Sequence, residues 1–355
     1  MKALLQEIIH FSTRVCEEFS IGTIYFGGGT PSIISPDYFR EVLSVVRSHF
    51  EISDQPEITL EANPNGLSED YLKAINDMGI NRLSIGMQSA VQEELEILER
   101  KHTLEDIQNV VMQARASGMT NLNLDLIYSI PSQTLQSLKK SVNSAILLAP
   151  THLSIYGLIL HEETVLLKRI KSGIYDMVDE DLSGDMYAWL MEYLPTKGFG
   201  QYEISNWSIA EEYHSRHNLQ YWHNLDYIGI GAGAHSHLMG YRWNNVLGIQ
   251  SYIQGVKETE EGAFFHPSVQ EKQKLLNEDM VKESMMMCLR LTKEGVNINS
   301  LNMRFNVDIQ ETYSREIKKL LQISLVEMLE IEGEMHLRLT DKGRMLGNHV
   351  FMEFI

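Results

Sequence analysis

Two cysteines, Cys16 and Cys288, in 355 residues are too few for a disulfide framework. They also exclude a zinc or iron–sulfur site built from three or four thiolates of this chain. Positive charge is scarce as well: 30 Lys and Arg stand against 48 Asp and Glu, a net of −18. Phosphate backbones and anionic leaflets are bound by clustered cations, so nucleic acid and a charged membrane surface are excluded as generic partners. No apolar run is long enough to span a bilayer. The N-terminal MKALLQEIIHFSTRV mixes acid and base on a helical pattern and lacks the apolar core and cleavage site of a signal peptide, so a cytoplasmic location is expected. No internal repeat and no low-complexity tract stands out.

What is present is an ordinary globular composition, 43% hydrophobic and 22% charged. Short β-branched runs at Thr23–Phe26, Ile58–Glu61, Arg82–Met87, Asn121–Ile127 and His152–Leu158 alternate with helical patterns such as Asp37–Phe50 and Leu104–Ser117. Ser35, Ser68 and Thr103 are placed as N-caps, and Gly79 and Gly118 as helix stops. Strand and helix alternating at this spacing predict βαβ units around a parallel sheet, either a barrel or an open doubly wound sheet. The stretch from Glu162 to Pro267 is rich in Tyr, Trp, His and Gly and only weakly periodic. From about Asn277 helical patterns at Asp279–Leu291, Ser300–Phe305 and Asp308–Leu325 precede two short strands, around Leu325–Glu330 and Met335–Thr340. That is a winged-helix layout. From Asp279 onward 10 Lys and Arg against 12 Asp and Glu leave no basic stripe for DNA.

Chemistry concentrates at the ends of the strand runs. Gly27-Gly28-Gly29-Thr30-Pro31-Ser32 follows the first and permits close backbone approach to a ligand, although a tight turn explains such a run equally well. It fits neither the dinucleotide nor the Walker phosphate pattern. Glu61, Gln88 and Asp125 lie at or near the ends of the next three runs. Ligands of parallel α/β folds bind at that rim. A glycine loop, two carboxylates and an amide suit a ligand bearing hydroxyls and an ammonium group. A second constellation is His214-Ser215-Arg216-His217-Asn218-Leu219-Gln220-Tyr221-Trp222-His223. Neutral histidine is an axial haem ligand, the aromatic faces suit a porphyrin, and Arg216 suits a propionate. An aromatic loop closing the barrel mouth accounts for the same residues. Gly229–Ser236 reads as a glycine-spaced loop with a modest prospect of ligand contact. The Met285–Met287 run reads as adaptable core filler.

GGGTPS, EANP, GMQS, ERKH, NLDLIYSIP, THLSIYGL, YEISNW, HNLQYW and GIGAGAHS occur in an order that resembles the oxygen-independent coproporphyrinogen oxidase-like (HemN/HemW) branch of the radical S-adenosylmethionine (SAM) superfamily. The resemblance covers nearly the whole chain. It implies an α/β partial barrel of radical SAM type lacking its first strand, over residues 1–265, and a winged-helix-like domain over 275–355. It assigns Gly28, Gly29, Thr30 and Glu61 to the methionine end of SAM, and Gln88, Arg100 and Asp125 to its ribose and carboxylate. HNLQYW resembles the HNxxYW signature of the haem-chaperone side of the branch. On that resemblance His217, Asn218, Tyr221 and Trp222 bind haem, with His217 as iron ligand.

The family's Cys-x3-Cys-x2-Cys loop, which holds its [4Fe–4S] cluster, has no counterpart here. Cys16 is expected inside the helix that follows that loop. A truncated sequence and a degenerate homologue both account for this, and truncation is favoured. The chain as written is therefore expected not to cleave SAM reductively, and its first remaining strand to form a sheet edge. The implied function is a haem chaperone that passes haem to a haem-dependent acceptor protein. No nucleic acid takes part, and any membrane association runs through the acceptor. Radical decarboxylation of coproporphyrinogen III is the alternative, and a scaffold without a cluster the third.

Overall fold

The computed structural model describes residues 1–15, 19–162 and 164–355. Its first half realises the alternation in the sequence: α1 (Lys2–Ser12), β1 (Ser20–Phe26), α2 (Pro36–His49), β2 (Glu51–Ala62), α3 (Glu69–Asp77), β3 (Arg82–Gln88), α4 (Gln92–Ile97), α5 (Leu104–Ala116), β4 (Asn121–Tyr128), α6 (Leu135–Leu147) and β5 (His152–Gly157). The five strands pair in parallel in chain order and curl into a partial barrel, with β1 at the edge. The boundaries follow local chemistry. Ser35 Oγ accepts from the Asp37 amide ahead of Pro36, Ser68 Oγ from Tyr71, and Thr103 forms a reciprocal capping box with Asp106. Gly79 and Gly118 leave α3 and α5 with φ of 98° and 91°, a region open to glycine.

The strands are two-faced. Ile58, Leu60, Leu83, Ile85, Leu122, Leu124, Leu126, Leu153 and Ile155 point outward and meet Leu43, Leu72, Val110 and Val142 of the helices in one buried core. Full burial of such a side chain is worth about 1.5–3 kcal/mol. The alternate positions point inward and are polar, so the barrel has an aqueous lumen.

The weakly periodic middle stretch is more regular than its sequence. It forms α7 (Val165–Lys171), α8 (Glu180–Tyr193), a hairpin of β6 (Gly200–Glu203) and β7 (Asn206–Ser208), and α9 (Arg216–Trp222). The hairpin extends the sheet antiparallel beyond β5. Then β8 (His235–Leu238), β9 (Tyr241–Asn245), α10 (Ile249–Lys257) and β10 (Val269–Lys274) add a three-stranded meander with a helix before β10. Buried Glu7 of α1 ties this meander to the barrel. Its carboxylate accepts from the Gly231 amide at 2.8 Å, Asn245 at 2.7 Å, Tyr252 at 2.5 Å and His266 at 2.8 Å. The Gly229–Ser236 loop thus serves as a seat for α1 and does not line the lumen cavity.

The C-terminal module comprises α11 (Asn277–Cys288), β11 (Val296–Asn297), α12 (Ile298–Phe305), α13 (Ile309–Thr312), α14 (Ser314–Gln322), β12 (Val326–Ile331) and β13 (Glu334–Leu339), with a sheet ordered β11-β13-β12. The single helix expected over Asp308–Leu325 is broken at Tyr313, whose φ and ψ are −108° and 27°. Met285 and Cys288 are buried in this module's core. Cys16 lies outside the described residues, and the helix expected to contain it ends at Ser12. No described helix is long and apolar enough to cross a membrane.

Candidate functional site

The lumen opens at the carboxyl ends of the strands as a cavity of about 530 Å³, within the usual range for a small-molecule site. Gly29, Thr30, Glu61, Gln88, Arg100 and Asp125 all line it, brought together from five segments of the chain. Asn218 reaches it from α9. Gly28 lies just behind: its amide donates to Glu61 Oε2 at 3.1 Å, while Tyr25 donates to Oε1 at 2.7 Å. Glu61 therefore pins the glycine loop. Gly28 and Gly29 hold φ of 86° and 63°, and a Cβ on Gly27 would strike the Tyr25 ring at 2.5 Å. Three glycines are needed here for conformation and for clearance. The Thr30 hydroxyl caps no helix.

Gln88 ends β3 with a φ of 63° at a break in the β3–β4 register. A non-glycine residue in that region is strained by about 1 kcal/mol or more, and such strain gathers at ligand sites. Asp125 accepts from Ser84 Oγ at 3.1 Å and Asn123 Nδ2 at 2.7 Å. Burial nevertheless pushes its carboxyl up to about 6.

From Asp125 a hydrogen-bond chain crosses the lumen wall. Asn123 Oδ1 meets His152 Nδ1 at 2.6 Å, His152 Nε2 meets Tyr202 OH at 2.8 Å, and that oxygen accepts the Ser215 amide at 3.0 Å. Burial lowers the His152 pKa well below its usual value. A neutral ring that donates from Nδ1 and accepts at Nε2 satisfies every partner. Ser215 is the N-cap of α9, so a carboxylate in the lumen is linked to the helix that carries HNLQYW.

On α9, Glu57 of β2 accepts the Arg216 and His217 amides, each at 3.0 Å, and clamps the helix to the barrel. His217 stacks on Tyr25, ring centroids 4.7 Å apart. Its Nδ1 meets Thr23 Oγ1 at 2.9 Å and its Nε2 meets Tyr221 OH at 3.0 Å. Burial, with a smaller effect of Arg82, holds the ring down at about 4, so it is neutral at pH 7. His217 and Tyr221 do not line the cavity. Trp222 turns away and packs against the C-terminal module, with the Arg290 guanidinium 4.4 Å from its ring centre. The open porphyrin-facing indole is thus replaced by a cation–π contact. Arg216 donates to the Gln55 carbonyl at 2.6 Å, His214 stacks on Tyr202, and His223 pairs with Glu294.

Sequence reasoning passed over Tyr25, Glu57, Arg82, Asn123, His152 and Tyr156. Their signal was the alternation of polar and apolar residues along each strand, such as Arg82, Ser84, Gly86 and Gln88. Parallel strands covered on both faces by helices read instead as unbroken apolar runs.

Residues 4–145 match the radical SAM superfamily model, and residues 275–346 match the HemN C-terminal domain model. The haem chaperone HemW of Lactococcus lactis is 32% identical, across 99% of this chain and 90% of that protein. HemW of Bacillus subtilis is 32% identical across 100% and 90%. The chain belongs to the HemW family. The mitochondrial radical S-adenosyl methionine domain-containing protein 1 of Danio rerio is 33% identical over 66% of this chain and 53% of its own length. Among solved structures, coproporphyrinogen III oxidase (HemN) of Escherichia coli shares the fold, with a TM-score of 0.82 at 21% identity over 99% of this chain and 82% of that one.

The HemW family is of radical SAM type, which implies SAM and an iron–sulfur cluster. The glycine loop, the Glu61 and Asp125 carboxylates and the Arg100 guanidinium that line the lumen are the kinds of group that meet an ammonium, hydroxyls and a carboxylate such as SAM carries. Among the described residues no three His, Cys, Asp or Glu side chains are grouped for a metal, and Cys288 is buried in the C-terminal core.

Proposed function

We propose that this chain binds haem at the α9 segment and hands it to a haem-dependent acceptor protein, with SAM held in the lumen beside it. The observation that carries this reading is His217. It is a neutral imidazole, stacked on Tyr25, on a helix whose next residue reaches the cavity. A neutral ring nitrogen is what haem iron takes from histidine. Tyr221 caps Nε2 in the closed arrangement and must swing aside for iron.

In the lumen, the Gly28–Thr30 loop would hold the amino-acid end of SAM near Glu61. Gln88, Arg100 and Asp125 would meet its carboxylate and ribose. When bound, SAM supplies a sulfonium cation and an adenosyl group. Asp125 accepts ribose hydroxyls as a carboxylate, and its link through His152 and Tyr202 passes that occupancy to the cap of α9. The relatives named as haem chaperones favour this reading over porphyrinogen decarboxylation, for which the fold alone speaks.

Absorbance titration with haemin tests it. A saturable Soret change is expected, followed by transfer of that haem to apomyoglobin as a stand-in acceptor. No saturable change overturns the haem reading, and conversion of coproporphyrinogen to a decarboxylated product favours the oxidase.

A further inference from the structure

Three carboxylates face the lumen or flank it, and each already has its donors. Glu57 takes the α9 amides, Glu61 takes Tyr25 and Gly28, and Asp125 takes Ser84 and Asn123. Arg82 has no such match. It begins β3 directly across from Thr59, lines the cavity and is 2% exposed. Its Nε has no hydrogen-bond partner, and neither has the buried Thr59 Oγ1 beside it. Among the described residues Arg82 enters no ion pair, although its charge acts on Asp125 and His217. A buried charge without acceptors carries a penalty of several kcal/mol. Its acceptors must come from the lumen that it lines, as water or as a bound anion.

The surroundings define that acceptor. The guanidinium presents its donors as a planar fork, which a carboxylate meets with two parallel bonds. Glu61 and Asp125 share the cavity, so a singly charged anion is tolerated better than a phosphate dianion. The floor is also aromatic: Tyr25 lies in register with Thr59, and His217 stacks on Tyr25.

We propose that Arg82, with the Thr59 hydroxyl, anchors a carboxylate-binding subsite at the floor of the lumen, separate from Arg100 at the rim. The carboxylate is assigned to a propionate of a tetrapyrrole, because Arg100 at the rim is the partner proposed for that of SAM; the amino-acid part of a nucleoside is the other outcome of the test. The subsite itself does not depend on haem binding.

The first probe is sodium propionate, titrated against sodium chloride of equal ionic strength, with the His217 ring resonances as readout. A saturable shift is expected in the wild type and is expected to vanish in Arg82→Met, which keeps an unbranched apolar stem and removes the charge. No saturable shift, or one that persists in Arg82→Met, overturns the proposal. Should Arg82→Met fail to fold, Arg82→Lys retains the charge without the fork and is expected to weaken propionate several-fold; unchanged affinity overturns the proposal. Two pairs of ligands then identify the source. If the tetrapyrrole supplies the carboxylate, Arg82→Met erases a preference of at least tenfold for haemin over its dimethyl ester. If the nucleoside does, it erases the preference for SAM over 5′-methylthioadenosine. Loss of neither preference contradicts the proposal.

Discussion

The lumen rim and the α9 helix flank the same strand, β1, and are finished in opposite ways. At the rim the chain leaves a strained Gln88 and an uncommitted Thr30, beside an Asp125 that is bonded to Ser84 and Asn123 and whose burial favours the proton. On α9 the amide and both ring nitrogens of His217 are spoken for, by Glu57, Thr23 and Tyr221. The rim is a site already open to a small ligand. The α9 segment is a closed site that has to exchange Tyr221 for iron. A protein that holds a cargo and later releases it is served by the second arrangement, because the displaced internal bond re-forms as the cargo leaves.

The largest expected effect breaks the closed site from below. Glu57→Ala removes the acceptor of two α9 amides. Hydrogen bonds to charged groups contribute about 1.5–3 kcal/mol each, so a loss of about 3 kcal/mol is expected in urea unfolding. A loss under 1 kcal/mol would mean that α9 is held by its other contacts.

A pH series sharpens the comparison, because the two sites titrate with opposite sign. The Asp125 carboxyl is raised from 3.8 to about 6 in the fold. The native state therefore holds the proton longer, and the stability this contributes is present below pH 3.8 and lost as pH rises through 6. His217 is lowered from 6.5 to about 4. Its contribution is present above pH 6.5 and is lost as pH falls through 4. Asp125→Asn should gain on the wild type by about 2 kcal/mol between pH 4 and 6.5, at about 1.4 kcal/mol per unit and discounted for the open cavity. His217→Gln should gain in the reverse direction. Parallel curves for both variants would contradict the assigned environments.

The smallest effect lies at the rim. Gln88→Gly relieves a left-handed φ and should stabilise the fold by up to about 1 kcal/mol while weakening SAM binding. Stabilisation with unchanged SAM affinity would remove Gln88 from the site.

Much of this was legible before the structure. The caps at Ser35, Ser68 and Thr103 and the strand-end residues Glu61, Gln88 and Asp125 are local signals, and they fell where the chain placed them. The middle stretch was less legible, since α8 mixes Gly184 with aromatic residues and its buried face is short. The orientation of HNLQYW could not be read either. Whether Trp222 meets a porphyrin or Arg290 depends on the docking of the C-terminal module, far along the chain. Arg82 was readable from strand alternation, but its lack of a partner is a fact of three dimensions.

The most direct measurement is a haemin titration of the wild type, His217→Ala and Tyr221→Phe, followed at the Soret band. His217→Ala is expected to weaken binding at least tenfold and lose the histidine-ligated spectrum, whereas Tyr221→Phe, which frees Nε2, is expected to bind more tightly or faster. Wild-type binding in His217→Ala would contradict the account, and so would weaker binding in Tyr221→Phe.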